Sequence, residues 1–381
     1  MNGKRIYLDY AASTPIDGNV AAVMHDSEKL FSNPSAQYES ARHAKELLNQ
    51  ARKDCAMFLQ CNAEEIIFTT GATESNNIAI QGVVLRHRTG RVISVYTEHS
   101  SVTGPLDFLE SQGYDVVYTK LTSKGQLDLD EFANSLNDET VLVTISYANS
   151  EIGNVAPIAK IAQIIKSYNN SRKTNIIFHT DASAAALSLS CDVARLGVDL
   201  LTLGGAKIYG PRTGGILYKK RGVDLRPIIF GGSQESRLRP GTESIDTVAG
   251  MAEALNQIKI QRKQDIVNFK EFHKLLFEEL DNKSLPYIYN GHPKDKIYNV
   301  ANVSFDGQSG EDFVAKLDAM GFEVATGAAC EASNDEPSRA LIAIGRTNSE
   351  AQGSLRISFG RGTKQDHIKR FVEALSGIIR P

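Results

Sequence analysis

The chain has 381 residues, a length that predicts two domains, or one large domain with a smaller partner. Hydrophobic residues make up 41% and charged residues 23%, a composition typical of a folded globular protein and not of a disordered chain. A net charge of −3 argues against a protein that binds nucleic acid electrostatically. Four scattered cysteines exclude a disulfide framework and favour a reducing compartment: Cys55, Cys61, Cys191 and Cys330.

The chain shows no segment that predicts a membrane or secreted location. Residues 1–10 lack the long apolar stretch of a signal peptide, and no run approaches the length of a transmembrane helix. We therefore expect a cytoplasmic protein with no membrane partner, no direct contact with nucleic acid and no metal site.

Short apolar runs alternate with helical patterns from about residue 45 to 220, which is typical of buried strands between helices. We predict strands over Ile66–Thr69, Val92–Tyr96, Val116–Tyr118, Val141–Ser146, Ile176–His179, Leu200–Leu203 and Gly215–Tyr218. We predict helices over Thr73–Leu85, Gly104–Gln112, Leu129–Leu136, Ile158–Tyr168 and Asp192–Leu196. This alternation predicts an α/β fold with a mostly parallel sheet and helices on both faces, whose last strand pairs antiparallel at an edge.

The pattern changes near Asp246, where a long and nearly glycine-free helical stretch begins. It extends to Asn282, with 267–268 as a candidate interruption. Further strands are predicted over Val300–Phe305 and Ser354–Phe359, and further helices over Gly310–Met320 and Gln365–Ile379. These elements predict a smaller α+β domain that the long helix joins to the first domain.

Polar residues follow several of the predicted strands, and open parallel sheets bind ligands at the carboxyl ends of their strands. After the first strand, Ala72 and Thr73 offer backbone N–H groups at a helix N-terminus, which suits a phosphate. A plain helix cap by Thr73 or Ser75 explains the same residues. Asp181 lies at the end of another strand, where its carboxylate suits a cationic ring nitrogen or a helix cap.

Three further residues have reactive or charged groups. Lys207 lies in a glycine-rich loop after a strand, where a partly desolvated amine can form an imine, although most loop lysines are simply solvated. Cys330 lies among small and polar residues, which predicts an exposed nucleophilic thiol, whereas the other cysteines fit packed positions. Arg356 alternates with apolar residues on a strand and suits bidentate capture of a carboxylate, or ordinary surface pairing.

In this order, these motifs resemble those of the NifS/IscS-type cysteine desulfurases, pyridoxal-phosphate enzymes of the class V aminotransferase fold. The likeness covers nearly the whole chain and depends on Tyr7–Pro15, Gly71–Asn77, Asn149–Gly153, Lys207–Pro211, Arg239–Thr242, the Cys330 loop and Ser354–Arg361. It implies a fold-type I pyridoxal-phosphate-dependent transferase. Residues 16–250 would form a large domain on a mostly parallel mixed sheet, and residues 1–15 plus 251–381 a smaller α+β domain that includes the cysteine loop.

The resemblance also implies roles at matching positions. Lys207 would hold the cofactor covalently and act as general base, and Asp181 would keep the pyridine nitrogen protonated. His99 would stack on the cofactor ring and take part in catalysis. The remaining cofactor contacts would come from Ala72, Thr73 and Ser150, with Thr242 reaching the phosphate that the neighbouring subunit binds.

The implied substrate is L-cysteine, whose carboxylate Arg356 would bind. The Cys330 thiolate would then attack the substrate sulfur, giving a Cys330 persulfide and L-alanine. The implied partners are a second subunit, in a homodimer with shared active sites, and a sulfur-acceptor protein. That acceptor would serve iron–sulfur cluster assembly or the thio-modification of nucleic acid, either tRNA thiolation or DNA phosphorothioation.

Four positions in the expected pocket depart from the family pattern: Ser150, Ala184, Gly204 and Ala206. The family glutamine at 184 donates to the cofactor's phenolic oxygen, and the family serine and histidine at 204 and 206 hold its phosphate. Each hydrogen bond lost to such a charged group costs about 1.5–3 kcal/mol. We therefore expect weak cofactor retention and slow turnover. Two nearby hydroxyls are candidates to compensate, those of Ser183 and Thr202.

Two other functions fit the same residues. The altered pocket favours a degenerate dimeric scaffold or sulfur-relay protein with weak cofactor binding, whereas the retained Lys207, Asp181 and Cys330 favour the desulfurase. A related selenocysteine or cysteine-sulfinate lyase would keep the fold but would depend much less on Cys330.

Overall fold

A computed structural model describes residues 5–327 and 337–379 of the chain. Its strands are β1 (Ile6–Tyr7), β2 (Ile66–Thr69), β3 (Arg91–Ser94), β4 (Asp115–Tyr118), β5 (Thr140–Thr144), β6 (Ile177–Asp181), β7 (Leu200–Gly204), β8 (Gly215–Lys219), β9 (Ile288–Tyr289), β10 (Val300–Ser304), β11 (Phe322–Glu323) and β12 (Ser354–Ser358). Its helices are α1 (Gly18–Ser27), α2 (Glu39–Leu59), α3 (Ala72–Val84), α4 (Ser100–Ser111), α5 (Leu129–Ser135), α6 (Ile158–Arg172), α7 (Val193–Leu196), α8 (Ile245–Asn282), α9 (Gly310–Ala319), α10 (Arg339–Ala343), α11 (Asn348–Gln352) and α12 (Gln365–Ile379).

Within the described residues, the large sheet has seven strands in the order β2-β8-β7-β6-β5-β3-β4. The strands from β7 to β4 run parallel to one another, and β8 runs antiparallel to both β2 and β7. The mostly parallel α/β fold is confirmed, as is the antiparallel direction of β8. Its predicted edge position is wrong, because β2 pairs along the other side of β8 and forms the edge.

Helices cover both faces of this sheet, which is why most residues of its strands are apolar. Side chains alternate between the two faces of a strand. Accordingly, Ile66 packs in a cluster with Leu48 of α2 and Leu255 of α8. Its neighbour Ile67 packs in a second cluster with Ile78 of α3, on the opposite face.

Two predicted helices differ from their expected bounds by a turn or more, and a third lacks its candidate interruption. α6 extends past Tyr168 to Arg172. α4 begins at Ser100, one turn before the predicted Gly104, because the His99 side chain accepts a hydrogen bond from the Ser101 N–H and caps the helix. Pro105 therefore lies inside α4. α8 continues across 267–268, and its 38 residues extend over about 57 Å. Neither α8 nor another helix of the described residues is both long and apolar enough to span a bilayer.

The C-terminal part of the chain packs around its own apolar cluster. There β10 pairs antiparallel with both β9 and β12, and β1 pairs parallel with β11. Asp9 and Ala325 each form a bridge to β12, so the N-terminal strand joins this part of the molecule. Leu8 packs in the same cluster as Phe269 and Leu355. The division into domains at residues 16 and 250 stays a prediction.

Candidate functional site

A cleft opens where the carboxyl ends of the parallel strands meet the C-terminal sheet. Its empty volume is about 930 Å³, part of it open to solvent. The large-sheet side of the cleft is lined by His99, Ser150, Asp181 and Lys207, and the C-terminal side by Arg356 of β12. Five residues that the sequence singled out thus lie around one space.

The Asp181 carboxylate is held by two donors at the end of β6. Asn76 Nδ2 donates to its Oδ2 at 2.8 Å, and the Ser183 N–H donates to its Oδ1 at 2.8 Å. Each carboxylate oxygen has two lone pairs, so Asp181 can accept one more donor from the cleft. The helix cap considered from the sequence is not formed, because 183–188 is a turn, and a local cap of that turn explains only the Oδ1 bond. Asn76 is a site residue that the sequence reasoning missed, although it lies within the quoted Gly71–Asn77 motif.

His99 follows β3 and faces the same cleft. Its Nδ1 accepts a hydrogen bond from the Ser101 N–H at 3.1 Å, which places the proton of the neutral ring on Nε2. Burial lowers the pKa of His99, the nearby Lys207 and Arg356 lower it further, and Asp181 opposes them. This lowered pKa keeps the imidazole neutral at pH 7.

The start of α3 offers unused backbone donors beside the cleft. No side chain of the described residues caps this helix, and Gly71 occupies the N-cap position. Thr73 lies inside the first turn, and Ser75 Oγ is hydrogen-bonded to Thr69 Oγ at 2.8 Å. Neither residue provides the cap that the sequence left open. The first N–H groups of α3, including that of Ala72, can therefore bind an anion.

A buried hydroxyl lies next to these donors. Ser183 Oγ makes no hydrogen bond to any described residue. A Cβ on Gly204 would lie 3.5 Å from this hydroxyl and 3.0 Å from the Ala72 Cβ, so the three residues surround one small space. Ser183 is therefore placed to replace the hydroxyl missing at position 204. Thr202 is not, because its Oγ is hydrogen-bonded to the core residue His179 at 3.1 Å.

Arg356 pairs with a carboxylate from the opposite end of the chain. Its Nη2 lies 2.9 Å from Asp9 Oδ1, and Arg356 is only 5% exposed, so this is not ordinary surface pairing. Burial raises the pKa of Asp9, against the opposing charge of Arg356. Arg356 Nε makes no hydrogen bond within the described residues. Sequence reasoning missed Asp9; its signal was a charged residue between the apolar Leu8 and Tyr10.

Glu98 is a second carboxylate in the cleft that the sequence did not single out. Burial raises its pKa to about 7, and the like charge of Asp181 adds to this effect. The Ser146 N–H donates to Glu98 Oε1 at 2.7 Å, and the Ser146 hydroxyl donates to Oε2. Glu98 is therefore a buried carboxylate, adjacent to His99 in sequence, that holds its proton more tightly than an exposed glutamate.

Three of the predicted site residues that the structure describes do not line the cleft: Ala72 and Thr73, at the start of α3, and Thr242. Thr242 is exposed, in the loop before α8. Cys330 lies outside the described residues. The residues that flank its segment, Gly327 and Arg339, do line the cleft.

The chain matches the family Aminotransferase class-V over residues 6–371. It belongs to that family. A curated relative, the cysteine desulfurase IscS of Dictyoglomus turgidum, is 35% identical over 379 residues, which cover 99% of this chain and 95% of the relative. The solved structure of a NifS-like protein superposes with a TM-score of 0.91 at 27% identity, covering 98% of this chain and 99% of that one. A structure of SspA in complex with cysteine gives a TM-score of 0.82 at 32% identity, covering 93% and 98% of the two chains.

This family membership makes the chain a pyridoxal-phosphate-dependent enzyme of the cysteine desulfurase type, and the cleft fits the cofactor. The remaining acceptor capacity of Asp181 suits a protonated pyridine nitrogen. The uncapped start of α3 and the unpartnered Ser183 hydroxyl suit a phosphate. The neutral His99 ring offers a stacking surface, and Lys207 offers an amine for covalent attachment.

Proposed function

We propose that the protein converts L-cysteine to L-alanine and delivers the sulfur, as a persulfide on Cys330, to an acceptor protein. The observation that supports this most strongly is the convergence of Lys207, Asp181, His99 and Arg356 on one cleft, next to the residues that flank the Cys330 segment. The cysteine bound in the SspA structure supports L-cysteine as the substrate.

Arg356 would bind the substrate carboxylate. Its guanidinium is oriented by Asp9 at 2.9 Å and keeps donors for a ligand in the cleft. A guanidinium and a carboxylate match as a bidentate pair, and burial strengthens that pair because little water competes. Substrate binding at Arg356 brings Cα into the space that Lys207 and His99 share.

Bound pyridoxal phosphate would supply an electron sink for the charge that develops at the substrate Cα. Lys207 would hold the cofactor and, once its amine is free, remove the Cα proton as a general base. His99 would stack on the ring without adding charge, because its imidazole is neutral. Asp181 would keep the ring nitrogen protonated, and Ala72, Thr73 and Ser150 would complete the contacts around the cofactor.

The sulfur step would take place on Cys330. Its thiolate attacks the substrate sulfur, and a sulfur–sulfur bond forms as the Cβ–S bond of the substrate breaks. The electron pair of that bond stays on Cβ, which takes a proton and becomes the methyl group of L-alanine. One thiol and one cysteine give one persulfide and one alanine, so the transfer balances without an external oxidant or reductant.

We propose a homodimer in which Thr242 contacts the cofactor phosphate of the neighbouring subunit, since it is exposed and outside the cleft of its own chain. The test mixes Thr242→Ala chains with Lys207→Ala chains. A shared site predicts that mixed dimers regain one intact site, for a recovery of about a quarter of wild-type activity. No recovery after confirmed subunit exchange would contradict sharing.

The decisive experiment measures visible absorbance, then alanine and sulfide after adding L-cysteine with a reductant. We expect cofactor absorbance, alanine formation, and no turnover in Lys207→Ala. A colourless protein that stays inactive with added cofactor would instead support the degenerate scaffold, which Ala184 and Gly204 favour. Full activity in Cys330→Ala would support a selenocysteine or cysteine-sulfinate lyase.

We further propose that the acceptor acts in the cytoplasm, in iron–sulfur cluster assembly or in the thio-modification of tRNA or DNA. Deleting the gene and measuring iron–sulfur enzyme activity, thiolated tRNA and phosphorothioate DNA separates these pathways. The measurement that falls, and is restored by the wild-type chain but not by Cys330→Ala, identifies the pathway. No change in any of the three would contradict the proposed delivery.

A further inference from the structure

Glu151 is a buried carboxylate in the cleft, 8% exposed, that the proposed chemistry does not use. It lies in the turn between β5 and α6, next to Ser150. Asn149 Oδ1 accepts hydrogen bonds from the N–H groups of Glu151 and Ile152, both at 2.8 Å, and Asn149 Nδ2 donates to the Thr97 carbonyl at 2.7 Å. The backbone that presents the Glu151 carboxylate is therefore fixed to the large sheet.

The carboxylate contacts the chain just after the Cys330 segment. The Ser338 hydroxyl donates a hydrogen bond to Glu151 Oε1 across 187 positions in sequence. The same hydroxyl accepts the Leu341 N–H at 3.2 Å and caps α10. Ser338 is only 8% exposed, so water competes little for its bond to Glu151.

The same carboxylate oxygen also lies against the chain just before the Cys330 segment. A Cβ on Gly327 would overlap Glu151 Oε1 and would lie 3.2 Å from the Ser338 Cβ. Gly327 and Ser338 therefore lie side by side, with one carboxylate against both. The carbonyl of Ala325, two residues before Gly327, accepts a hydrogen bond from the Arg356 N–H at 2.8 Å. This bond connects the chain before the Cys330 segment to β12, the strand of the predicted substrate-binding arginine.

We propose that Glu151 is a positioning residue for sulfur transfer to Cys330: it accepts the Ser338 hydroxyl and contacts Gly327, which lie on either side of the Cys330 segment. This inference rests on the proposed role of Cys330. Because Glu151 is adjacent to Ser150, the same turn links the cofactor side of the cleft to the segment that receives the sulfur.

The test compares the holoenzymes of Glu151→Ala, Ser338→Ala and the double variant. Persulfide formation on Cys330 in a single turnover should slow about tenfold in each single variant, the factor expected for a lost charge-assisted hydrogen bond. The L-cysteine concentration that half-saturates the cofactor absorbance change should stay within about twofold. The double variant should be no slower than either single one, because both remove the same bond.

A second readout does not depend on turnover. The rate at which iodoacetamide alkylates Cys330, without substrate, should change from the wild-type rate by the same factor in both single variants. The double variant should show no further change. Ser338→Thr keeps the hydroxyl and should retain wild-type rates. Asp192→Ala removes the cap of α7 without touching Gly327 or Ser338, so it should leave both readouts unchanged.

Gly327→Ala tests the contact without altering either partner of the hydrogen bond. Its Cβ would displace the Glu151 carboxylate, so it should reproduce the slow persulfide formation. Additive effects in the double variant, or wild-type persulfide and alkylation rates in Glu151→Ala, would overturn the inference. If the wild-type holoenzyme forms no alanine, the proposed function fails, while the alkylation comparison still decides whether Glu151 positions the segment.

Discussion

Restoring two side chains around the cofactor is expected to tighten pyridoxal-phosphate binding. Ala184 lines the cleft and is half-buried, so Ala184→Gln has room to place an amide donor there. Ala206, also half-buried, directly precedes Lys207, and Ala206→His would add a ring N–H donor. Each new hydrogen bond to a charged cofactor oxygen contributes about 1.5–3 kcal/mol. At 1.4 kcal/mol for each factor of ten, the dissociation constant should fall about 10- to 150-fold per substitution.

The assay titrates pyridoxal phosphate into the cofactor-free protein and follows visible absorbance at equilibrium. Ser183→Ala is the matched variant that removes a candidate hydrogen bond to the cofactor. The buried Ser183 hydroxyl lacks a partner among the described residues and lies beside Ala72. That variant should raise the dissociation constant about tenfold. Equal cofactor affinity in the wild type, Ala184→Gln and Ala206→His would refute the argument that the departures weaken retention.

Three further outcomes concern charged groups that are largely buried. Asp9→Ala leaves the buried Arg356 guanidinium unpaired, which should lower the free energy of unfolding by about 3 kcal/mol; thermal shifts should show that L-alanine restores more stability to the variant than to the wild type. Burial raises the pKa of Glu98 to about 7, above its unfolded value, so folding stability falls as pH rises through that interval. Between acid and neutral pH, the fall in the free energy of unfolding should be about 3 kcal/mol smaller in Glu98→Gln than in the wild type, as measured by urea unfolding. Arg361→Met leaves the buried Asp265 carboxylate, which lies 3.0 Å from the Arg361 guanidinium, without this partner. The free energy of unfolding should fall by about 3–5 kcal/mol in urea at neutral pH, and an unchanged midpoint would contradict this prediction.

Local patterns in the sequence were enough to predict most of the strands and helices. Ile66–Thr69 and Gln365–Ile379 have the predicted bounds, because an apolar run or a helical period depends only on neighbouring residues. The same locality explains why Asp181 and Lys207 were found, since each lies shortly after a predicted strand. The error at α4 has a different cause, since its start at Ser100 depends on the cap that the His99 side chain provides.

The sequence by itself determined the alternation of strands and helices, the type of the reactive residues and the family they resemble. Only the tertiary structure decided that β8 lies inside the sheet, because its second partner, β2, comes from far earlier in the chain. The same is true of the Arg356–Asp9 ion pair, 347 positions apart, and of the contact between Glu151 and Ser338. Such pairings depend on how distant segments pack, and no local periodicity records which buried charge or hydroxyl will meet another.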